Sequence, residues 1–236
     1  MNTELSQLID ERNEKMWKSL QQRFNISIEM VPGQEHSVYS KGEDVTFYVP
    51  KNSPDAGSFT HELLHVYLRS KKMYIGANLL LTISSSKIMK RIFSDALLEH
   101  MGNILDHIKM FPLYERMGYD PSSFLLDFYT NKCEMNEVNL IRKNFKQGAT
   151  YNALAVGAFI GRFFAVKGDV NKSFDYSVCL SNLKKIDSKL FEALDLFFDE
   201  WENFDIESND PLYTYREVVH AFYEYMKVWI IGKRFE

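Results

Sequence analysis

The sequence is poor in the features that would place it quickly. It has only two cysteines, Cys133 and Cys179, in 236 residues. They are far apart and form no C-x-x-C pair, so cysteine metal clusters and thiol redox chemistry are excluded. Two reduced, buried thiols are the expectation. With six prolines and eleven glycines there is no linker rich in either, and no internal repeat or low-complexity tract. Neither a Gly-rich phosphate loop nor a G-x-S-x-G elbow occurs, which removes the commonest nucleotide-binding and serine-hydrolase architectures. Positive charge is not in excess: 28 Lys and Arg stand against 32 Asp and Glu, for a net charge of −4. Phosphate contacts need clustered basic residues, so no nucleic-acid partner is expected. Long apolar runs are also missing. The most apolar stretch, Ala153 to Val166, contains Arg162 and falls short of the roughly 20 residues that span a bilayer. The N-terminal residues, MNTELSQLIDERNEKMWKSL, have no apolar core of a secretory signal. The expectation is a soluble, cytoplasmic protein with no membrane partner.

What is abundant is core material. Hydrophobic residues make up 45% of the chain, with 18 Phe and 13 Tyr, enough for one well-buried core or two lobes. Apolar spacing predicts a helix over 3–23, then strands at Ile26–Val31 and Val45–Val49 around the turn residues Pro32-Gly33. A helix starting near Ser58 or Thr60 follows, then an apolar segment from Met73 to Ile83. Ser84-Ser85-Ser86 offers an N-cap for a long helix from Lys87 to Met110 that Pro112 interrupts. Further helices are expected around 121–131, 134–146, 149–166, 176–204 with a break, and 211–231. Pro211 would open the last and Gly232 close it. The fold class is therefore α+β and predominantly α-helical, with a small N-terminal β element and a helical C-terminal half. A single domain is expected, with lobes of about 1–110 and 111–236. Gly157 and Gly161 have the spacing that lets helices approach closely. The acidic run Asp195–Asp210 reads as an amphipathic helix end with a solvated face. The basic residues of Arg69–Lys72 suit a helix C-terminus.

One motif carries chemistry: His61-Glu62-Leu63-Leu64-His65. On a helix, residues i and i+4 share a face, so both imidazoles can reach one ion. The intervening Glu62 lies beside that ion and can act as general base toward the water that zinc activates. The residues between and after the histidines are helix formers, and no Pro or Gly breaks the segment from Ser58 to Ser70. A third ligand is needed. The sequence YLRSKKMYIGANLLL after the motif lacks the extension that supplies a nearby third His. The leading candidate is Glu99, in a polar stripe of Asp95, Glu99, Asn103 and Asp106 along an otherwise apolar helix. A carboxylate buried there would need a partner. His100 is an alternative ligand or a donor to the carbonyl oxygen, and His107 and Asp106 are further alternatives. His107 reads more readily as a core or surface histidine.

On these residues the chain resembles the gluzincin branch of the zincin metallopeptidases, over about residues 44–107. The resemblance implies a zincin-like core, a zinc cofactor held by His61, His65 and Glu99, and Glu62 as catalytic base. The position that orients the first motif histidine falls on Asn103, where the family has an acidic residue; an Asn carbonyl can still accept an imidazole N–H. The implied activity is zinc-dependent hydrolysis of peptide or related amide bonds, with a peptide or protein as substrate. The strand Val45–Val49 would present its edge to extended substrate, or simply complete a small sheet. Tyr114, Tyr119, Tyr213, Tyr215 and His220 are available to stabilise the transition state, though His220 reads first as a packing residue. The alternative function is a zincin-derived binding or regulatory protein whose metal site is structural or lost.

Overall fold

The structure, a computed structural model, describes residues 5–208 and 210–236. It is α+β and mostly helical, with two small sheets of three strands each. In chain order the elements begin with α1 (Leu5–Leu8), α2 (Glu14–Gln21), β1 (Asn25–Val31), β2 (Ser37–Lys41), β3 (Asp44–Pro50) and α3 (Ala56–Ser70). Helices α4 (Ile75–Ile83), α5 (Met89–Ile92), α6 (Asp95–Arg116) and α7 (Met135–Asn144) follow. After the two-residue strands β4 (Lys146–Gln147) and β5 (Thr150–Tyr151) come α8 (Ala153–Lys167), α9 (Ser177–Ile186), α10 (Ser188–Asn203), α11 (Tyr215–Ile230) and β6 (Arg234–Phe235). No helix is long and apolar enough to cross a membrane among the described residues.

The chain forms two compact units that interleave: Met1–Met73 with Lys109–Tyr129, and Tyr74–Ile108 with Thr130–Glu236. A boundary falls near residue 110, between Ile108 and Lys109 inside α6, but the units are not the continuous stretches 1–110 and 111–236.

In the first unit, Trp17, Leu20, Val45, Phe47, Val49, Phe59, Leu63 and Val66 form one core between α2, the sheet and α3. Strand β3 alternates buried with partly buried residues and is the middle strand, in the order β1-β3-β2. It pairs parallel with β1 and antiparallel with β2. Both its edges are used, so Val45–Val49 offers none to a substrate. The edge beside α3 belongs to β2, which sequence reading passed over. The helix expected over 3–23 is broken between α1 and α2; residues 3 and 4 of that span lie outside the described residues. The cause is polar. Asn13 is buried, accepts the Asp10 N–H, and donates to the Leu8 carbonyl and the Thr60 hydroxyl, both at 2.8 Å. A side chain that satisfies backbone groups in this way competes with the helix. The segment from 109 onward is tied to the same region: Tyr119 donates to Asp10 at 3.1 Å, and the Arg12 guanidinium lies 3.8 Å from the Tyr119 ring.

In the second unit, Phe163, Phe164, Phe197, Phe198 and Phe222 are fully buried on α8, α10 and α11. The buried Trp201 donates its indole N–H to the Leu105 carbonyl at 2.8 Å. The glycine pair of α8 does what its spacing predicts: a Cβ at Gly157 would stand 2.7 Å from the Ile92 carbonyl. The acidic run has its solvated face, and Asp195 pairs with Lys167 at 2.7 Å.

Several boundaries differ from expectation. Asp55, not Ser58 or Thr60, caps α3 by accepting the N–H groups of Gly57 and Ser58. The helix expected from Lys87 is interrupted at Phe93-Ser94, whereas Pro112 lies inside α6 and does not end it. Only a short 3₁₀ turn, Pro121–Ser123, forms within 121–131. The last helix starts after Thr214 rather than at Pro211, and Gly232, at φ +78°, follows its end. The two cysteines are not reduced thiols: Cys133 and Cys179 form a disulfide. It ties the residues before α7 to α9 and closes a 46-residue separation.

Two stability effects are expected. A Cβ at Gly102 would stand 2.9 Å from the Gly76 Cα, where α4 and α6 cross. Backbone cannot yield there, so Gly102→Ala lowers unfolding free energy by about 1–3 kcal/mol in urea titration. Cleaving the disulfide costs about 2–4 kcal/mol by loss of the loop constraint on the unfolded chain, seen as a lower midpoint in the Cys133→Ala, Cys179→Ala double variant.

Candidate functional site

Helix α3 positions the site. Phe59, Leu63 and Val66 lie near one line of its surface and are buried in the core of the first unit. At 100° per residue, His61 and His65 then fall together on a line about half a turn away. Their rings are 5.1 Å apart, edge to face. The His61 ring also lies 4.6 Å from that of Phe124. Phe124 follows the 3₁₀ turn Pro121–Ser123 and packs on Phe111 and Tyr114. The motif therefore has an aromatic backing supplied by residues more than 45 positions downstream.

With His107 the pair forms a group that could hold a metal ion. The ligand atoms of His61, His65 and His107 all lie within 4.8 Å of one another, and each residue is partly buried. His107 is on α6, two residues before that helix enters the first unit. Glu99 is not in the group. It stands two turns earlier on α6, about 12 Å along the axis at 1.5 Å per residue, and it is exposed. The polar stripe that recommended it faces solvent: Asp95, Glu99, His100 and Asn103 are all exposed, and only Asp106 is partly buried. Asp95 and Glu99 stand in water, so neither carboxylate needs a metal to offset burial. Of the residues offered for transition-state stabilisation, Tyr114 and Tyr119 are buried aromatics of the first unit, stacked at 5.0 Å. His220 is exposed.

Burial shapes the electrostatics. It pushes the His61 imidazole down to about 3, helped by the neighbouring His65 and opposed by a main-chain hydrogen bond to Phe124. His61 is thus neutral at pH 7, the form in which an imidazole can donate a lone pair to a metal. Burial pushes Glu62 up to about 7, against the lowering effects of His65 and of a main-chain hydrogen bond from Val38. A carboxyl near 7 can both take and return a proton at neutral pH. Val38 belongs to edge strand β2, so this strand helps fix the carboxyl of the motif.

His61 and Glu62 open onto a cleft of about 450 Å³ within the first unit. One wall is the start of α3, with Asp55 and Ser58. A second is the segment before β2, with Glu35 and His36. The third is Phe124 to Leu126. Sequence reading missed Glu35, His36 and the Phe124–Leu126 wall, since nothing in their local pattern links them to the motif.

Compared with models of known protein families, with curated proteins and with solved structures, the chain matches none.

A pH effect follows for the metal-free protein. The folded-state pKa of Glu62 lies above its ordinary value, so its contribution to stability is complete below about pH 4.5 and is lost as pH rises through about 7. Glu62→Gln removes that loss. Thermal melts of metal-free protein should show the variant gaining stability over the parent between pH 5 and pH 8, the reverse of ordinary carboxylate behaviour.

Proposed function

We propose that the chain is a zinc-dependent hydrolase of peptide or related amide bonds, with zinc held by His61, His65 and His107 and Glu62 as general base. The supporting observation is the convergence of three imidazole donors within 4.8 Å, with Glu62 beside them at the wall of a cleft. The donor chemistry fits the ion. Neutral imidazoles suit zinc, and three protein ligands leave a fourth position for water or substrate. When bound, zinc would polarise the scissile carbonyl and activate a water.

The chain's own groups would do the rest. The Glu62 carboxylate takes the proton of the attacking water and, as the carboxylic acid, passes it to the leaving amine nitrogen. The Val38 N–H holds that carboxyl in place during both transfers. Phe124 packs on the His61 ring and restricts its rotation, which keeps the donor oriented and water away from its face. The chemistry is the one the motif implies, with His107 in place of Glu99 as third ligand.

Metal analysis of protein purified without chelator should find one zinc per chain. His107→Ala should lower zinc affinity at least tenfold, the scale of losing a protein ligand or its support, whereas Glu99→Gln should leave it unchanged. Glu62→Gln should keep the metal and lower peptide hydrolysis by about 10²-fold or more. Zinc-free protein, or affinity that depends on Glu99 and not on His107, would overturn the assignment. Zinc retained without hydrolysis of any peptide would leave a metal-binding regulatory protein.

A further inference from the structure

The cleft beside Glu62 is strongly one-sided in charge. Glu35, Asp55 and Glu62 line it, and no Lys or Arg does. Asp55 accepts two helix N–H groups, at 2.8 and 3.1 Å. Glu35 is exposed on the segment before β2.

One further group lining the cleft lacks a hydrogen-bond donor. His36 Nε2 lies 3.4 Å from the Ser53 carbonyl. With the proton on Nε2, Nδ1 is an acceptor, and it is buried with no hydrogen-bond partner. Burial lowers the pKa of this imidazole, which keeps it neutral. An unsatisfied acceptor in a cleft lined by carboxylates suits a donor-rich cation. The Phe124–Leu126 wall is different in kind. It includes Leu125 and Leu126, and Leu126 is 80% exposed. A cleft with both an apolar wall and anionic residues suits a group with an aliphatic stem and a charged head.

We propose that this cleft selects substrates carrying an ammonium or guanidinium, with the head at Glu35 and Asp55 and the stem along Leu125 and Leu126. The selection deepens the hydrolase reading of the same cleft and rests on it. The cation comes either from a Lys or Arg side chain or from the substrate's own N-terminus. Selection acts through Glu35 and Asp55 and so is separate from Glu62, which performs the chemistry.

The test uses fluorescent alanine-based decapeptides in which one Lys is walked along the chain. Norleucine or Glu at the same position serves for comparison, and each peptide is made with a free and an acetylated N-terminus. Binding is read by anisotropy on the full chain carrying Glu62→Gln, with and without zinc, so that no turnover is needed. Cleavage is read separately on the unsubstituted chain. Lys is expected to bind about fivefold or more tightly than norleucine at one or two positions, the scale of a partly exposed ion pair. Glu35→Gln should reduce that advantage, and Glu35→Lys should turn it toward the Glu peptide. An advantage that survives acetylation assigns the cation to a side chain; one that needs the free terminus assigns it to the N-terminal ammonium. Equal binding of Lys, norleucine and Glu peptides at every position overturns the proposal, as does a Lys preference untouched by Glu35→Lys. Cleavage without preference leaves the hydrolase standing and removes the selection. Preference without cleavage upholds the selection and removes the hydrolase.

Discussion

Helix α3 can bury Phe59, Leu63 and Val66 in the core only by turning His61 and His65 together to the far side. The rest of the site depends on this constraint. The sheet fixes the helix's rotation, the rotation fixes the donor pair, and the pair defines where a third donor and a cleft can be. Asp55 at the helix start and Asn13 against Thr60 hold the helix along its axis. A half-turn error in α3 would expose three core residues, at a cost of about 1.5–3 kcal/mol for each large side chain. The placement of the His61–His65 pair is thus enforced by apolar burial.

The elements around α3 divide their work. Strand β2 contributes the Val38 N–H to Glu62, and Glu35 just before it lines the cleft. The turn after Asp120 places Phe124 on His61 and sends Leu125 and Leu126 along the other wall. Helix α6 contributes His107. His61, His65 and His107 all stand on helices, while the cleft walls come mostly from loops.

The parts of this picture visible in the sequence are those with a local signature. HELLH has one, because its spacing equals one helical turn. So do the alternation of Val45–Val49, the Gly157–Gly161 spacing and the closing Gly232. The parts that stayed hidden are set by tertiary geometry. His107 looks like any helix histidine until α6 is placed. Glu99 looked like a ligand because Leu97, Leu98, Ile104 and Leu105 surround it in sequence, yet a helix can bury those residues and still present Glu99 to water. The break between α1 and α2 depends on Asn13 reaching Thr60, 47 residues away, which periodicity cannot register. The disulfide was missed for a related reason: 46 residues separate its cysteines, and only the packing of α9 near the start of α7 brings them together.

The interleaving of the two units bears on how the chain is made. Residues 1–73 emerge from the ribosome first but are not a complete unit, because the segment Lys109–Tyr129 belongs with them. Without it the nascent chain lacks Tyr119 beside Asp10 and Phe124 on His61. At about 5–20 residues per second, the early segment therefore waits several seconds until Tyr129 has been added. During that interval its own core can close around Leu63 and Val66, but the His61 side of α3, which Phe124 later packs on, stays open to water.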